Sequence, residues 1–213
     1  MQQTNEQLLV RPQSPVLRAL RAAAPQTLPV LAVFNNEEVG SNTRQGADST
    51  FLTDVLERIA DGCGLSKEEW KAAVANSFLV SADNAHAIHP AHPEYADKGE
   101  FPVLNGGIVI KYNANQRYTT DAVSGAVFQA VCQAAGVPTQ RYSNRADLPG
   151  GSTLGNISTA HLSVPTVDIG LPQLAMHSVC ETAGAADTDY LVKAIASYYA
   201  CSFQQEADGG ITL

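Results

Sequence analysis

The fold is decided by the stretch Leu28-Pro29-Val30-Leu31-Ala32-Val33-Phe34, which runs directly into Asn35-Asn36-Glu37-Glu38-Val39-Gly40-Ser41. The first seven residues are apolar, which is typical of a parallel strand that is buried on both faces. Two adjacent carboxylates then stand where this strand is expected to end. Ligand sites in open α/β sheets form outside the carboxyl ends of strands. A Glu-Glu pair by itself is more often part of a solvated loop. The rest of the chain therefore has to decide between a ligand site and a solvated loop.

Composition limits the classes of protein to which the chain can belong. It has 213 residues, of which 45% are hydrophobic, enough for one medium or two small packed domains. The formal net charge of −8 argues against a nucleic-acid partner and against binding to an anionic membrane. No apolar run approaches the roughly 20 residues of a membrane helix, and the N-terminus lacks the order of a signal peptide. The four scattered cysteines are expected to be reduced thiols in a cytoplasmic protein.

Strand-like and helix-like segments alternate along the chain, which predicts an α/β fold with a mostly parallel sheet flanked by helices. After the strand at 28–34, further strands are predicted at residues 77–81, 108–112, 140–143 and 166–169. Helices are predicted at residues 15–24, 49–60, 66–76, 122–136, 155–162 and 188–202. Ser49, Ser66 and Asp121 are the expected helix caps. The tail at residues 204–213 is expected to be loose.

Polar side chains follow several of the predicted strands. Glu37 and Glu38 follow the first strand, and Asp83 follows the second. Lys111 lies near the end of the third strand, and His177 follows the strand at 166–169. Carboxylates and an imidazole that converge on one rim can bind zinc or manganese, and a carboxylate that is not a ligand can take a proton from the bound water. The pattern alone supports such a site and an ordinary polar rim about equally.

The residue order of five segments points to a protein family more specifically than the chemistry of their side chains does. In chain order they resemble the aspartyl aminopeptidase family of two-metal exopeptidases: FNNEEVGS, SADNAHAIHP, VIKYNANQRYTTDAVS, PGGSTLG and PQLAMHS. The resemblance extends from about residue 22 to about residue 203. It implies a zinc-exopeptidase-like α/β catalytic domain that removes N-terminal Asp or Glu from peptides by attack of metal-activated water. It also implies two divalent metal ions, typically zinc, and a large homo-oligomer.

The resemblance implies a role for each residue that matches a family motif. Glu37 matches the general base. Glu38 and His177 match ligands of one metal ion, and Asp83 matches a ligand of the other. Lys111 matches the residue that pairs with the acidic side chain of the substrate, a role that suits a compact ammonium charge. The substrate pocket is matched by Tyr118 and by the loop Gly150, Gly151, Ser152 and Thr153.

The sequence also departs from the family. Family members carry a His-x-Asp ligand motif and a metal-bridging Asp before the Glu pair, and neither is found in this sequence. Residues 1–213 are therefore expected to be a single catalytic-domain fragment that lacks the N-terminal part and the inserted dimerisation domain. A companion N-terminal segment is then an expected partner. The alternative is a catalytically incompetent fragment or subunit of such an enzyme.

Other polar residues have two interpretations. His89 and His92 lie in a proline-containing loop and are expected to be solvated. His86 is either solvated or contacts and orients the metal ligands without binding the metal itself. Asp168 lies inside a predicted strand, where it is a metal ligand or a buried structural hydrogen-bond acceptor. A peptidase of broad specificity is disfavoured, because an unpaired Lys111 in an apolar pocket would be costly.

Overall fold

A computed structural model describes residues 27–145 and 147–213. Within these ranges a five-stranded sheet has the order β1-β4-β2-β3, and β5 pairs with β4. The strands are β1 (Leu79–His86), β2 (Ile108–Tyr112), β3 (Thr139–Ser143), β4 (Thr166–Leu174) and β5 (Thr182–Ala183). The two longest pairings, β1 with β4 and β2 with β3, are parallel, whereas β2 and β5 run antiparallel to β4. The predicted α/β fold with a mostly parallel sheet is confirmed.

Helices accompany the sheet along the described part of the chain. They are α1 (Phe51–Gly62), α2 (Lys67–Ala75), α3 (Ala122–Ala134), α4 (Leu154–Thr159) and α5 (Ala185–Ala200). Short 3₁₀ turns occur at Glu37–Val39 and Pro93–Tyr95. The helix predicted at residues 15–24 lies outside the described residues. Among the helices described, none has the length and apolarity that crossing a membrane requires.

Side-chain caps fix where α2 and α3 begin. The Ser66 hydroxyl accepts a hydrogen bond from the Glu69 N–H, and the Glu69 carboxylate accepts one from the Ser66 N–H. Asp121 and Ser124 form the same reciprocal arrangement at α3. Both predicted caps are therefore confirmed. Helix α1 instead begins after Thr50, one residue beyond the predicted cap Ser49.

Replacing Asp121 with Ala is expected to lower the free energy of unfolding by about 0.5–2 kcal/mol, the usual effect of losing an N-cap side chain. The Asp121 carboxylate accepts from the Ser124 N–H at 2.7 Å, and alanine offers no acceptor. Urea unfolding of the purified chain measures the change. The exposed Asp61, with no side-chain hydrogen bond in the described part, is the matched control as Asp61→Ala. Equal stability of the two variants would contradict the capping role.

The hydrophobic core lies between the sheet and helices α3 and α5. Ile108 of β2, Ile169 of β4 and Phe128 of α3 are fully buried. The tail, expected to be loose, instead forms a hairpin of β6 (Gln204–Gln205) and β7 (Ile211–Thr212). Ile211 packs against the core, which explains why this segment is held in place.

The segment 28–34 differs from its prediction. It forms neither a helix nor a strand, and no described residue pairs with its backbone in a ladder. Leu31 packs near Ile195 and Tyr199 of α5, whereas Leu28 and Val30 are 69% and 41% exposed. The prediction of a buried strand was wrong. Such a strand needs paired strands beside it and packing on both of its faces, whereas the described residues form no ladder with this segment and cover only one of its faces.

Candidate active site

A pocket with a volume of about 360 Å³ opens over the sheet. It collects side chains from the 3₁₀ turn at 37–39, from β1 and β2, and from the segments around residues 152 and 177. The pocket is lined by Glu37, Glu38, Gly40, Ser41, Asp83, Asn84, Ala85, His86, Lys111, Tyr118, Tyr142, Gly151, Ser152, Thr153, Ile157, Met176 and His177. Nine of the ten residues singled out from the sequence therefore share one cavity, and Gly150 is the exception.

Tight turns bring Glu38 and His177 together. Asn36 and Gly40, on either side of the 3₁₀ turn, have left-handed backbones with φ of 62° and 108°. His177 also has a left-handed φ of 67°, and its N–H donates to the Glu181 carboxylate at 2.7 Å. The His177 Nε2 then lies 2.9 Å from the Glu38 Oε2. Two good metal donors are thus held side by side on the open side of the pocket.

Glu37, which precedes Glu38 in the chain, has a carboxyl pKa well above the ordinary value. Burial raises the pKa of its carboxyl to about 7, and the negative charges of Asp83 and Glu38 act in the same direction. Lys111 and His177 oppose this rise by favouring the charged carboxylate. A carboxyl group that titrates near neutral pH can both accept and return a proton, which suits general acid–base catalysis.

Lys111 and Asp83 form an ion pair across the sheet. The Lys111 Nζ lies 3.5 Å from the Asp83 Oδ2, and the Lys111 side chain is only 3% exposed. Asp83 lies within β1 rather than beyond its end, because β1 continues to His86. Asp83 and Val109 both pair with Gly170 of the intervening strand β4, and Lys111 lies two residues beyond Val109 on the same face of the sheet. The antiparallel direction of β2 was missing from the sequence prediction.

The remaining residues predicted from the sequence lie at or beside the walls of the pocket. The Tyr118 ring lies 5.8 Å from the Lys111 Nζ, and its hydroxyl donates to the Asn144 Oδ1 at 3.1 Å. Gly151, Ser152 and Thr153 line the pocket, whereas Gly150 does not. A Cβ atom at Gly150 would stand 2.2 Å from the Asn144 Nδ2, so the glycine allows the loop to approach Asn144 closely.

His86 and Asp168, which each had two interpretations, lie in different surroundings in the structure. His86 lines the pocket, and partial burial together with the charges of Lys111 and His177 lowers its pKa. Asp168 is buried outside the pocket lining, where its Oδ2 accepts from the Thr119 N–H at 2.6 Å and the Thr119 hydroxyl at 2.7 Å. These bonds agree with the structural interpretation of Asp168 and fix the backbone next to Tyr118.

Several lining residues were not found from the sequence. They include neutral side chains that carry no chemical signature of their own: Ser41, Asn84, Tyr142, Ile157 and Met176. Ser41 follows the Glu-Glu pair and Met176 precedes His177, so proximity to the motifs was the available signal. Tyr142 lies on β3, and only the parallel pairing of β2 with β3 brings it beside the pocket.

Comparison with known proteins agrees with this geometry. Residues 16–199 match the family described as "Aminopeptidase I zinc metalloprotease (M18)". The "Probable M18 family aminopeptidase 2" of Clostridium acetobutylicum is 48% identical over 180 residues, which cover 84% of this chain and 42% of that protein. The chain therefore spans about two fifths of the length of this curated relative.

Solved structures lead to the same family. The M18 aminopeptidase of Thermotoga maritima superposes with a TM-score of 0.76 at 25% identity, covering 87% of this chain and 43% of that chain. The S. cerevisiae mApe1 dodecamer gives a TM-score of 0.66 at 31% identity, covering 78% of this chain and 36% of that chain. With its Glu-Glu turn, its Glu38–His177 pair and this match over most of its length, the chain belongs to the M18 family of zinc metallo-aminopeptidases.

Proposed function

We propose that this chain provides part of the active site of a metallo-aminopeptidase that removes N-terminal Asp or Glu from peptides. The observation that carries this proposal is the single pocket shared by Glu37, Glu38, Asp83, Lys111 and His177. It combines a proton acceptor, metal donors and a buried cation within reach of one bound peptide. Residues 1–213 would form one part of the catalytic domain, since they match about two fifths of the curated relative.

The donors fit one side of a zinc site. The Glu38 Oε2 and His177 Nε2 are common zinc donors and lie 2.9 Å apart. Zinc in proteins usually has three or four protein ligands, and the described residues contain no group of three suitable side chains. We therefore assign Glu38 and His177 to one metal ion and Asp83 to a second, with the other ligands coming from outside the described residues. Bound zinc would polarise the scissile carbonyl and lower the pKa of water.

Glu37 would act as the general base. Its carboxylate lies next to Glu38 without sharing the contact between Glu38 and His177. It can accept a proton from the attacking water at one carboxylate oxygen and pass that proton to the leaving amine. Tyr118 and the loop at 151–153 also line the pocket, where they would orient the peptide.

Lys111 would select the first residue of the substrate. The ammonium group is nearly inaccessible to bulk water, and its recorded partner is the Asp83 carboxylate at 3.5 Å. A metal bound to Asp83 would compete with Lys111 for that carboxylate. The side-chain carboxylate of an N-terminal Asp or Glu would then restore the charge partner that Lys111 loses. A neutral first residue cannot do so, which disfavours its binding.

The proposed specificity is tested on Asp-, Glu- and Leu-peptides. The enzyme for this test is the completed enzyme, meaning this chain together with the part of an M18 polypeptide that it does not span, with added zinc. Hydrolysis of the two acidic peptides with a clear preference over the Leu-peptide is expected. Similar kcat/KM values for all three would exclude selection by Lys111.

We expect the purified chain alone to retain at most one weakly held zinc ion. Glu38 and His177 are two donors, and Asp83 is engaged by Lys111. Elemental analysis after dialysis against zinc measures the ratio, and His177→Ala should reduce it further. His89, which lies outside the pocket lining, provides the control variant His89→Ala. Two zinc ions that resist dialysis would contradict the ligand assignment.

The incomplete donor set also favours a second candidate for the isolated chain. By itself the chain would be a folded subunit without peptidase activity. We also propose that the complete protein forms a homo-oligomer, as the S. cerevisiae mApe1 dodecamer does. A cytoplasmic location is proposed from its cysteines, because Cys63, Cys132, Cys180 and Cys201 are all free thiols.

A further inference from the structure

Ser81 and Asp168 form a buried polar pair on the same face of the sheet as Asp83. The two residues are partners in the parallel pairing of β1 with β4, and Asp83 lies two residues beyond Ser81. Ser81 is 5% exposed and Asp168 is 1% exposed, and both lie outside the pocket lining. Buried polar groups that are hydrogen-bonded hold the segments they join in one arrangement. The bonding partners of Ser81 and Asp168 therefore show which segments this pair holds.

Asp168 holds the loop that carries Tyr118. The Asp168 carboxylate accepts from both the N–H and the hydroxyl of Thr119, which follows Tyr118 in the chain. The loop forms neither a helix nor a strand at these residues, so its position depends on these bonds rather than on a ladder. The Tyr118 ring then lies 5.8 Å from the Lys111 Nζ. We call residues 118–120 the tyrosine wall of the pocket.

Ser81 holds the start of helix α4. The Ser81 Oγ accepts from the Gly155 N–H at 2.9 Å, and Gly155 is buried in the first turn of this helix. Thr153 and Ile157, two residues to either side of Gly155, line the pocket. We call residues 153–157 the helix wall. Its distance from the sheet is set by how closely Gly155 approaches the buried polar pair.

The two walls meet at the carboxylate of Asp168. A Cβ atom at Gly155 would stand 2.6 Å from the Asp168 Oδ1 and 2.8 Å from the Thr119 Oγ1. Cβ atoms in proteins are essentially never found so close to another heavy atom, so a larger residue at position 155 has to push these groups apart. The backbone of Asp168 is held on both sides, because β4 lies between β1 and β2. The Asp168 carboxylate therefore sets the separation of the tyrosine wall from the helix wall.

We propose that Ser81 and Asp168 are positioning residues that set the width of the pocket beside Lys111, and with it the length of the acidic side chain that the pocket accepts. This inference rests on the proposed function, in which Lys111 pairs with the first side chain of the substrate. Asp and Glu carry the same charge and differ by one methylene group, so the charge of Lys111 alone does not separate them. Walls at a fixed separation do, since one methylene group in a fitted pocket changes kcat/KM by roughly 10–200-fold.

A role of Asp168 as a metal ligand fits less well. Its Oδ2 already accepts two hydrogen bonds, and its Oδ1 lies against Gly155. The three proposed metal donors line the pocket, whereas Asp168 does not. The two roles also differ in what they require of the side chain. Positioning needs an oxygen that accepts from Thr119, whereas a metal ligand of this kind needs the carboxylate charge.

Replacing Gly155 with Ala tests the separation of the walls. The added methyl group should move the helix wall away from Asp168 and widen the pocket. The ratio of kcat/KM for a Glu-peptide to that for an Asp-peptide should then rise about tenfold in the completed enzyme. Gly62 has no heavy atom within 4 Å of a Cβ position, so Gly62→Ala is the matched control with an unchanged ratio. Loss of stability alone lowers both kcat/KM values equally, and an unchanged or lower ratio in Gly155→Ala would overturn the proposal.

Replacing Ser81 with Ala tests the second anchor without adding bulk. The variant removes the acceptor of the Gly155 N–H, so the helix wall is held less closely to the sheet. The Glu-to-Asp ratio should rise in the same direction as in Gly155→Ala, and the Gly155 amide proton should exchange faster. An unchanged ratio would overturn the assignment of Ser81.

Two variants of Asp168 separate positioning from charge. Asp168→Asn keeps an oxygen that can accept from Thr119, whereas Asp168→Ala removes it. In the purified chain, the Thr119 amide proton should exchange on the order of tenfold faster in Asp168→Ala than in Asp168→Asn or the wild type. In the completed enzyme, Asp168→Asn should keep the wild-type Glu-to-Asp ratio and zinc content, and Asp168→Ala should raise the ratio. Equal behaviour of the two variants, or loss of zinc from Asp168→Asn, would assign the role of Asp168 to its charge and overturn the proposal.

The wild-type enzyme separates this inference from the proposed function. The expected result is a preference for both acidic peptides over the Leu-peptide, together with the raised Glu-to-Asp ratio in Gly155→Ala. Similar kcat/KM values of the wild type for all three peptides would overturn the proposed function and this inference with it. An acidic preference in the wild type with an unchanged ratio in Gly155→Ala would overturn this inference alone.

Discussion

Replacing Glu37 with Gln is expected to lower kcat of the completed enzyme by about 10²–10⁴-fold, the usual contribution of a general base. Glutamine keeps the shape of the side chain but accepts a proton far less readily than a carboxylate does. The wild-type carboxyl is well placed for this task, because burial and the charges of Asp83 and Glu38 raise its pKa to about 7. Steady-state hydrolysis of an Asp-peptide measures the loss.

The metal content of the Glu37→Gln enzyme separates this role from metal binding. Glu38 and His177 contact each other at 2.9 Å, and Glu37 is outside that contact. Zinc content should therefore equal that of the wild-type enzyme. The exposed Glu68 on α2 provides the matched control, and Glu68→Gln should retain full activity. Near-normal turnover by Glu37→Gln would remove Glu37 from the mechanism, and a loss of zinc would make it a ligand.

Local signals in the sequence were sufficient for much of the fold. The caps at Ser66 and Asp121 were predicted because a capping residue acts on N–H groups only a few positions away. The segment 28–34 was mispredicted because an apolar run does not by itself supply the neighbouring strands that a buried strand needs, and no described residue pairs with it. An apolar run shows that a segment can be buried, but the surrounding chain decides whether it is.

In the candidate site, too, the features with a local sequence signal were predicted and those that depend on distant residues were not. Glu37 and Glu38 stand next to each other in the chain, so their shared location was visible in the sequence. The ion pair between Lys111 and Asp83 was not predicted, since it depends on β4 lying between β1 and β2 and on β2 running antiparallel to β4. Strand direction is a property of the whole sheet, and a five-residue strand carries no signal for it.

Replacing Lys111 with Met in the completed enzyme is expected to reduce the preference for Asp-peptides over Leu-peptides by about ten- to a hundredfold. A hydrogen bond to a charged group contributes roughly 1.5–3 kcal/mol, which corresponds to this range. Methionine is an unbranched side chain without charge, so the variant removes the ammonium and keeps much of the volume. The measurement compares kcat/KM for the two peptides in wild type and variant.

The buried position of Lys111 provides a competing explanation that the same experiment resolves. Its side chain is 3% exposed and contacts Asp83, so its loss leaves a half-buried carboxylate without a cation and lowers stability. Destabilisation alone reduces the amount of active enzyme and affects both peptides equally. Lys193 on α5 is exposed, and Lys193→Met should change neither value. A selective loss on the Asp-peptide assigns Lys111 to substrate recognition, whereas equal losses on both peptides would make it a structural residue.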